Sequence, residues 1–214
     1  MRRALGGPAN PAVESLGNSH ARNSMFELFL AADWKVRGLS VTVGEPDIEL
    51  SIKGSRILTE CKRPFSKDSV ASNIEEAASQ IRRHLDRPEN ASARGLIVIS
   101  LTRVITGNIL MVEGPEGKKA VTEKLIDYLA EHEKEWRVYR RMTAHPRIVA
   151  AMFHLAVPWD IGSESLIYMA SERFCLASNG DAQGSLFLTS AFLDSTRQQR
   201  RPRMVSPQLG VRET

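Results

Sequence analysis

The sequence predicts an α/β fold, a mixed central sheet flanked by helices, with the leading element order αβββαβ and extra strands towards the C-terminus. Three observations predict it. Residues 39–44, 47–54 and 56–63 form three short runs with two-residue alternation, joined by tight turns. Helix-periodic stretches stand before and after these runs. The nearly uninterrupted apolar run GLIVISL at residues 95–101 reads as a strand buried on both faces.

In the first helix, Asn18 or Ser19 is a suitable cap, Met25, Phe26, Phe29, Leu30 and Val36 form the apolar face, and Gly38 is placed to end it. LSVTVG, DIELSIKG and RILTECKR follow, separated by GEP and GS, the pattern of an antiparallel meander. From about Lys67 to Arg87 the spacing of Val70, Ile74, Ala77, Ala78, Ile81 and Leu85 predicts the second helix. The apolar strand comes next. A further helix is predicted from about Lys118 to Arg140, with Val121, Leu125, Tyr128, Leu129, Trp136 and Tyr139 on the side that packs on the sheet. RIVAAMFHLAV and SLIYMASERFCLA read as strands around the turn-rich PWDIGSE, and SLFLTSAFL as a last strand or short helix.

With 214 residues and 42% hydrophobic content, the chain is expected to form one domain over residues 18–194. Residues 1–17 read as a flexible segment, and residues 195–214 as a basic, disordered tail. The longest apolar stretch, Ile148 to Trp159, is broken by His154 and Pro158 and falls short of the ~20 residues of a membrane helix. The N-terminus lacks the apolar core of a secretory signal, so a cytoplasmic address is expected. Cys61 and Cys175 have no spacing typical of a zinc site or a disulfide framework.

The net charge of +4 is compatible with a phosphate-rich partner. Its basic residues cluster at Arg82, Arg83 and Arg87, at Arg137, Arg140 and Arg141, and between Arg197 and Arg203. Each cluster alone reads first as a solvated face. The histidines show no HExxH spacing, and no GxSxG elbow or GxxxxGK[ST] loop is present, so zinc-protease, covalent-serine and NTP-hydrolysing chemistry lack a signal.

The residues with a chemical signal lie on the meander. Strand alternation puts Leu58, Glu60 and Lys62 on one face and Ile57, Thr59 and Cys61 on the other. A hairpin through Lys53, Gly54 and Ser55 brings Asp47, at the start of the preceding strand, opposite Glu60. Two facing carboxylates repel unless a cation sits between them, and hard oxygen ligands suit Mg²⁺, with Mn²⁺ as a substitute. A nearby lysine can then orient a water attacking a phosphodiester. Glu27 is an acid set in the apolar face of the first helix, where burial without a partner is costly.

Pro46-Asp47, twelve intervening residues and Glu60-Cys61-Lys62 together resemble the PD-x(n)-(D/E)-x-K signature of the PD-(D/E)XK nuclease superfamily, whose restriction-endonuclease-like core has the order predicted here. The resemblance covers about Asn18 to Leu101. It implies that Asp47, Glu60 and the backbone carbonyl of Cys61 ligate the metal and that Lys62 acts on the water. Glu27 would support a second metal or hold Lys62, and Gln80 would stand beside the site. The tyrosine that some members carry four residues after this glutamine is His84 here. Arg82, Arg83 and Arg87 share the helix of Gln80 and are expected to grip a phosphate backbone. Glu49 reads as an outer neighbour of Asp47 or as a solvated strand residue.

The function implied is a metal-dependent nuclease, most directly a DNA endonuclease of restriction, defence or DNA-processing type, with no membrane role. It would act as a homodimer or as a subunit of a larger complex. The rival is a nuclease-like fold used only to bind nucleic acid or a partner. Taken singly, Asp47 is a good turn residue and Glu60 with Lys62 an ordinary exposed pair. Together with Glu27 and Gln80 they favour the enzyme.

Overall fold

A computed structural model of the chain describes residues 20–52, 54–107, 112–114, 116–132, 134–135, 139, 144–160 and 167–177. The terminal segments expected to be flexible, Trp136 and the run SLFLTSAFL lie outside the described residues.

Helix α1 (His20–Val36) buries Leu30, Ala31 and Trp34. At roughly 100° per residue these three lie within one narrow stripe, and Glu27, one turn earlier, lies on the same stripe. Val36 and Met25 fall on the opposite side and are 77% and 52% exposed, so they do not belong to the apolar face expected of them. Gly38 ends the helix as anticipated, with φ 84° and with the Leu39 N–H donating to the Trp34 carbonyl at 3.0 Å.

Strands β1 (Ser40–Val43), β2 (Ile48–Ile52) and β3 (Ser55–Lys62) form the antiparallel meander. Ile52 pairs with Ser55, which leaves two residues for the turn, and Gly54 supplies its left-handed backbone at φ 82°. Helix α2 (Val70–Leu85), entered through a 3-10 turn at Lys67–Ser69, then crosses back over the sheet. Strand β4 (Arg94–Ser100) lies parallel to β3, and β6 (Ile148–Asp160) lies parallel to β4. Strand β7 (Ile167–Ala177) runs antiparallel along β6. With the short strand β5 (Val112–Glu113), the described residues form a mixed seven-stranded sheet of order β1-β2-β3-β4-β6-β5, with β7 also paired to β6.

Helices cover both faces. On one, Leu30, Ala31 and Trp34 of α1 pack on Ile48, Leu50, Ile57, Leu96, Val98 and Met152. On the other, the apolar stripe of α2 and Val121, Leu125 and Tyr128 of helix α4 (Gly117–Glu131) pack on Leu58, Ile97, Ile99, Ala151 and Phe153. The α/β class, the mixed sheet and the αβββαβ order follow the expectation. Among the described residues no helix is long and apolar enough to cross a membrane.

Three local expectations change. The helix expected as far as Arg140 is interrupted: α4 ends at Glu131 and the chain turns at His132, whose ring nitrogen Nδ1 lies 2.8 Å from the Tyr128 carbonyl, while Lys134, Glu135 and Tyr139 are again helical. Pro158, Trp159 and Asp160 belong to β6 instead of a turn. On the flank away from β7, β4 pairing stops at His154 and β5 pairing starts only at Trp159, so proline's missing N–H removes no ladder bond there. Two short elements were not anticipated, helix α3 (Thr102–Thr106) and strand β5 (Val112–Glu113).

Candidate active site

The site is built where the meander meets the parallel strands. Ile48 pairs with Thr59, so the next step outward sets Asp47 opposite Glu60, and two further residues along β3 stands Lys62. The Gly44 N–H donates to the Asp47 carbonyl at 3.2 Å, closing the turn that delivers Asp47 to the start of β2. Beyond that point β2 no longer covers the edge of β3. The exposed Cys61 N–H is taken instead by Asp47 Oδ2, at 2.8 Å. The N–H and C=O of an extended residue leave a strand on the same edge, so the Cys61 carbonyl also faces this uncovered side. The Cys61 side chain packs in the α1-side core.

Glu60 is only 5% exposed and shares the environment of Asp47. Burial raises its pKa to about 8, and the Asp47 charge, a hydrogen bond with Asp47 and the charge of Glu27 act in the same direction against the pull of Lys62. Glu27 is raised to about 7, first by burial and then by Asp47, with Lys62 again opposing. Burial, followed by the charges of Asp47, Glu27 and Glu60, pushes the Cys61 thiol far up, so it does not form a nucleophilic thiolate at neutral pH. Protons thus relieve the repulsion among the three carboxylates, a role that a cation between Asp47 and Glu60 would take over.

Lys62 Nζ makes its ion pair with Glu76 Oε1 at 2.8 Å, on the exposed side of α2. Gln80, one turn later, donates to the same oxygen at 3.3 Å. Glu27 acts on Lys62 only as a nearby charge, so the partner holding the lysine is Glu76, a residue sequence reasoning missed. The signal for it was present: Glu76 precedes Gln80 by four residues and shares its helix face. His84 is the second missed partner, with Nε2 3.2 Å from Glu60 Oε1. Burial and the charges of Arg87 and Arg83 lower its pKa.

Two clefts meet at these side chains. The larger, about 900 Å³, is bordered by Glu27, Asp47, Glu60, Lys62, Glu76 and Gln80, together with Asn23 and Asn73. The smaller, about 280 Å³, shares Asp47, Glu60 and Gln80 and continues to Arg83, His84 and Arg87. The five expected catalytic side chains therefore border one continuous depression. Arg83 and Arg87 border its smaller lobe, and Arg87 Nη2 lies 3.5 Å from Glu45. Arg82 borders neither lobe. It lies on the side of α2 towards His145, whose pKa is lowered by burial, then Arg147 and, less strongly, Arg82. Glu49 is held by the fork of Arg56, Nε to Oε1 and Nη2 to Oε2 both at 2.9 Å, which fixes it as a structural pair.

Among the described residues no three His, Cys, Asp or Glu side chains form a group that could hold a metal ion by themselves. The expected donor set needs only two side chains, Asp47 and Glu60, plus the Cys61 carbonyl and water. An oxygen set of that kind fits a hard divalent cation that keeps part of its hydration. His154 is buried in β6 and ringed by Phe26 and Phe29 at 5.7 and 5.8 Å, as a core residue. The chain matches no protein-family profile, no curated protein and no solved structure.

Proposed function

We propose that the protein is a metal-dependent nuclease of the PD-(D/E)XK type, with a restriction-endonuclease-like core, that hydrolyses phosphodiester bonds in DNA. The observation that carries the reading is the pairing of Asp47 with the buried Glu60, whose pKa is raised to about 8, two residues before Lys62 and at the mouth of an open cleft. An ordinary exposed Glu-x-Lys pair on a wet strand would bury neither acid nor bring a second carboxylate against it.

Asp47 and Glu60, with the Cys61 carbonyl, would hold the cation. Bound there, Mg²⁺ supplies Lewis-acid polarisation of the phosphoryl oxygen and a lowered pKa for the attacking water. Lys62, steadied by Glu76, stands beside that position and orients the water and offsets the charge that develops on the phosphate. Gln80 keeps Glu76 in place and borders both lobes. Arg83 and Arg87 line the smaller lobe, where a neighbouring phosphate of the same strand can be gripped. Glu27 borders the same cleft from the α1 side, where it would support a second cation.

The deciding experiment incubates the protein with supercoiled plasmid, linear duplex, single-stranded DNA and RNA in Mg²⁺, Mn²⁺, Ca²⁺ or EDTA. Nicking of closed circles in Mg²⁺ or Mn²⁺, absent in EDTA and absent from Lys62→Ala and Asp47→Ala, is the expected result. Full cleavage by Asp47→Ala would sink the proposal. Binding of DNA in Ca²⁺ with no cleavage under any metal would favour the non-catalytic binding module.

A further inference from the structure

We propose that His84 is a positioning residue that fixes the orientation of Glu60, holding one carboxylate oxygen so that the other is presented beside Asp47. The inference rests on the reading of Asp47 and Glu60 as cation ligands. His84 is 8% exposed and meets Glu60 directly, Nε2 to Oε1 at 3.2 Å. Its place on the helix is secured from behind: the side-chain amide of Asn90 donates to the His84 carbonyl at 2.8 Å, and Asn90 is itself buried.

With Glu60 ionised, as a cation ligand must be, the ring can make this contact in one tautomer. Nδ1 is buried and has no hydrogen-bond partner among the described residues. A neutral imidazole carries one N–H, and placing it on Nδ1 would orphan a buried donor while leaving Nε2 without a proton for Glu60. The Nε2–H form avoids both costs, since a buried bare lone pair on Nδ1 is tolerated better than an orphaned N–H. His84 therefore donates to Oε1 of Glu60. The last torsion of a glutamate is broad, and the contact with His84 narrows it beyond what the hydrogen bond with Asp47 does alone. With Oε1 committed to the helix, Oε2 remains for the space shared with Asp47. The outer partners of metal ligands set ligand orientation in this way, and their loss typically weakens metal binding about 10- to 100-fold.

The test is Mn²⁺ binding to the full chain, followed by electron paramagnetic resonance without any nucleic acid, for the wild type, His84→Ala, His84→Gln and Glu60→Gln. His84→Ala is expected to bind at least about tenfold more weakly. His84→Gln, which keeps an N–H donor, should recover most of that loss, and Glu60→Gln should bind worst. Equal affinity of His84→Ala and wild type overturns the positioning role while leaving the cation site intact. Equal loss in the Ala and Gln variants also overturns it, because the donor would then not be what matters. Absence of any Mn²⁺ binding by the folded wild type overturns both the cation site and this inference. Should His84→Ala fail to fold, the nitrogen shifts of the wild-type ring, read well above pH 8 where Glu60 is ionised, decide: an Nε2–H tautomer is expected, and an Nδ1–H tautomer overturns the proposal.

Discussion

Lys62 shows how one residue can be placed by a partner that contributes little to stability. Its ion pair with Glu76 joins a lysine side chain that is 17% exposed to a carboxylate that is 57% exposed. Pairs of that exposure are worth ~0.2–1 kcal/mol. Glu76→Gln should therefore leave the melting temperature almost unchanged, yet slow single-turnover cleavage about tenfold, the rate equivalent of ~1.4 kcal/mol, because the ammonium loses its anchor. Wild-type rates from Glu76→Gln would show that Lys62 finds its place without it. Glu27, Glu60 and Lys62 were legible because alternation on β3 and the stripe of α1 each put a charged residue where an apolar one was due, Asp47 because a hairpin sets it opposite Glu60, and Gln80 through the family resemblance alone. Glu76 and His84 were not legible in that way. Both flank the apolar stripe of an amphipathic helix, Glu76 exposed and His84 buried, where a polar residue is unremarkable until the helix is known to lean on Glu60 and Lys62.

At the scale of elements, the site depends on how α2 seats on β3 and β4. Its residues divide by angle: Val70, Ile74, Ala77, Ala78, Ile81 and Leu85 enter the core, while Glu76, Gln80, Arg83 and His84 border the clefts. Ile81 is fully buried, so Ile81→Ala should cost ~2–5 kcal/mol by urea denaturation. Gly95 on β4 tests the same contact from below. A methyl group there would come within 2.9 Å of Ile81 Cγ1 and 3.1 Å of Leu85 Cδ1, so Gly95→Ala should destabilise by ~1–3 kcal/mol through overpacking. A smaller effect than that of an exposed substitution such as Glu75→Ala would mean that α2 can lift off the sheet without penalty. The meander, α2 and β4 were predictable because each has a clean period or a continuous apolar run. The end of α4, the extent of β6 and the short α3 and β5 were not, since a histidine cap and a proline tolerated on an open strand flank are decided by neighbours distant in sequence.

For the molecule as a whole, the sheet changes from antiparallel to parallel pairing at β3, and the depression opens at the C-terminal end of β3 beside the start of β2, the end of a parallel strand being the usual place for ligands in open α/β sheets. Gathering Glu27, Asp47 and Glu60 at that junction costs folding energy, and the cost has a pH signature. With pKa values raised to about 7 for Glu27 and about 8 for Glu60, the folded protein keeps protons that the unfolded chain releases in the ordinary carboxylate range. The unfolded state then binds fewer protons, so stability falls as pH rises between that range and about 8, and levels off above it. Each tenfold difference in proton affinity is worth ~1.4 kcal/mol. In EDTA, the melting temperature of the wild type should therefore drop across this window, and Glu60→Gln, which cannot ionise, should drop less. Excess Mg²⁺ binds the folded state preferentially, so its stabilising effect should grow with pH as it displaces protons from the same carboxylates. A wild-type melting temperature independent of pH in EDTA, or an equal slope in Glu60→Gln, would mean that the cluster is not under the electrostatic load described. A Mg²⁺ effect that shrinks towards high pH would mean that the cation binds elsewhere.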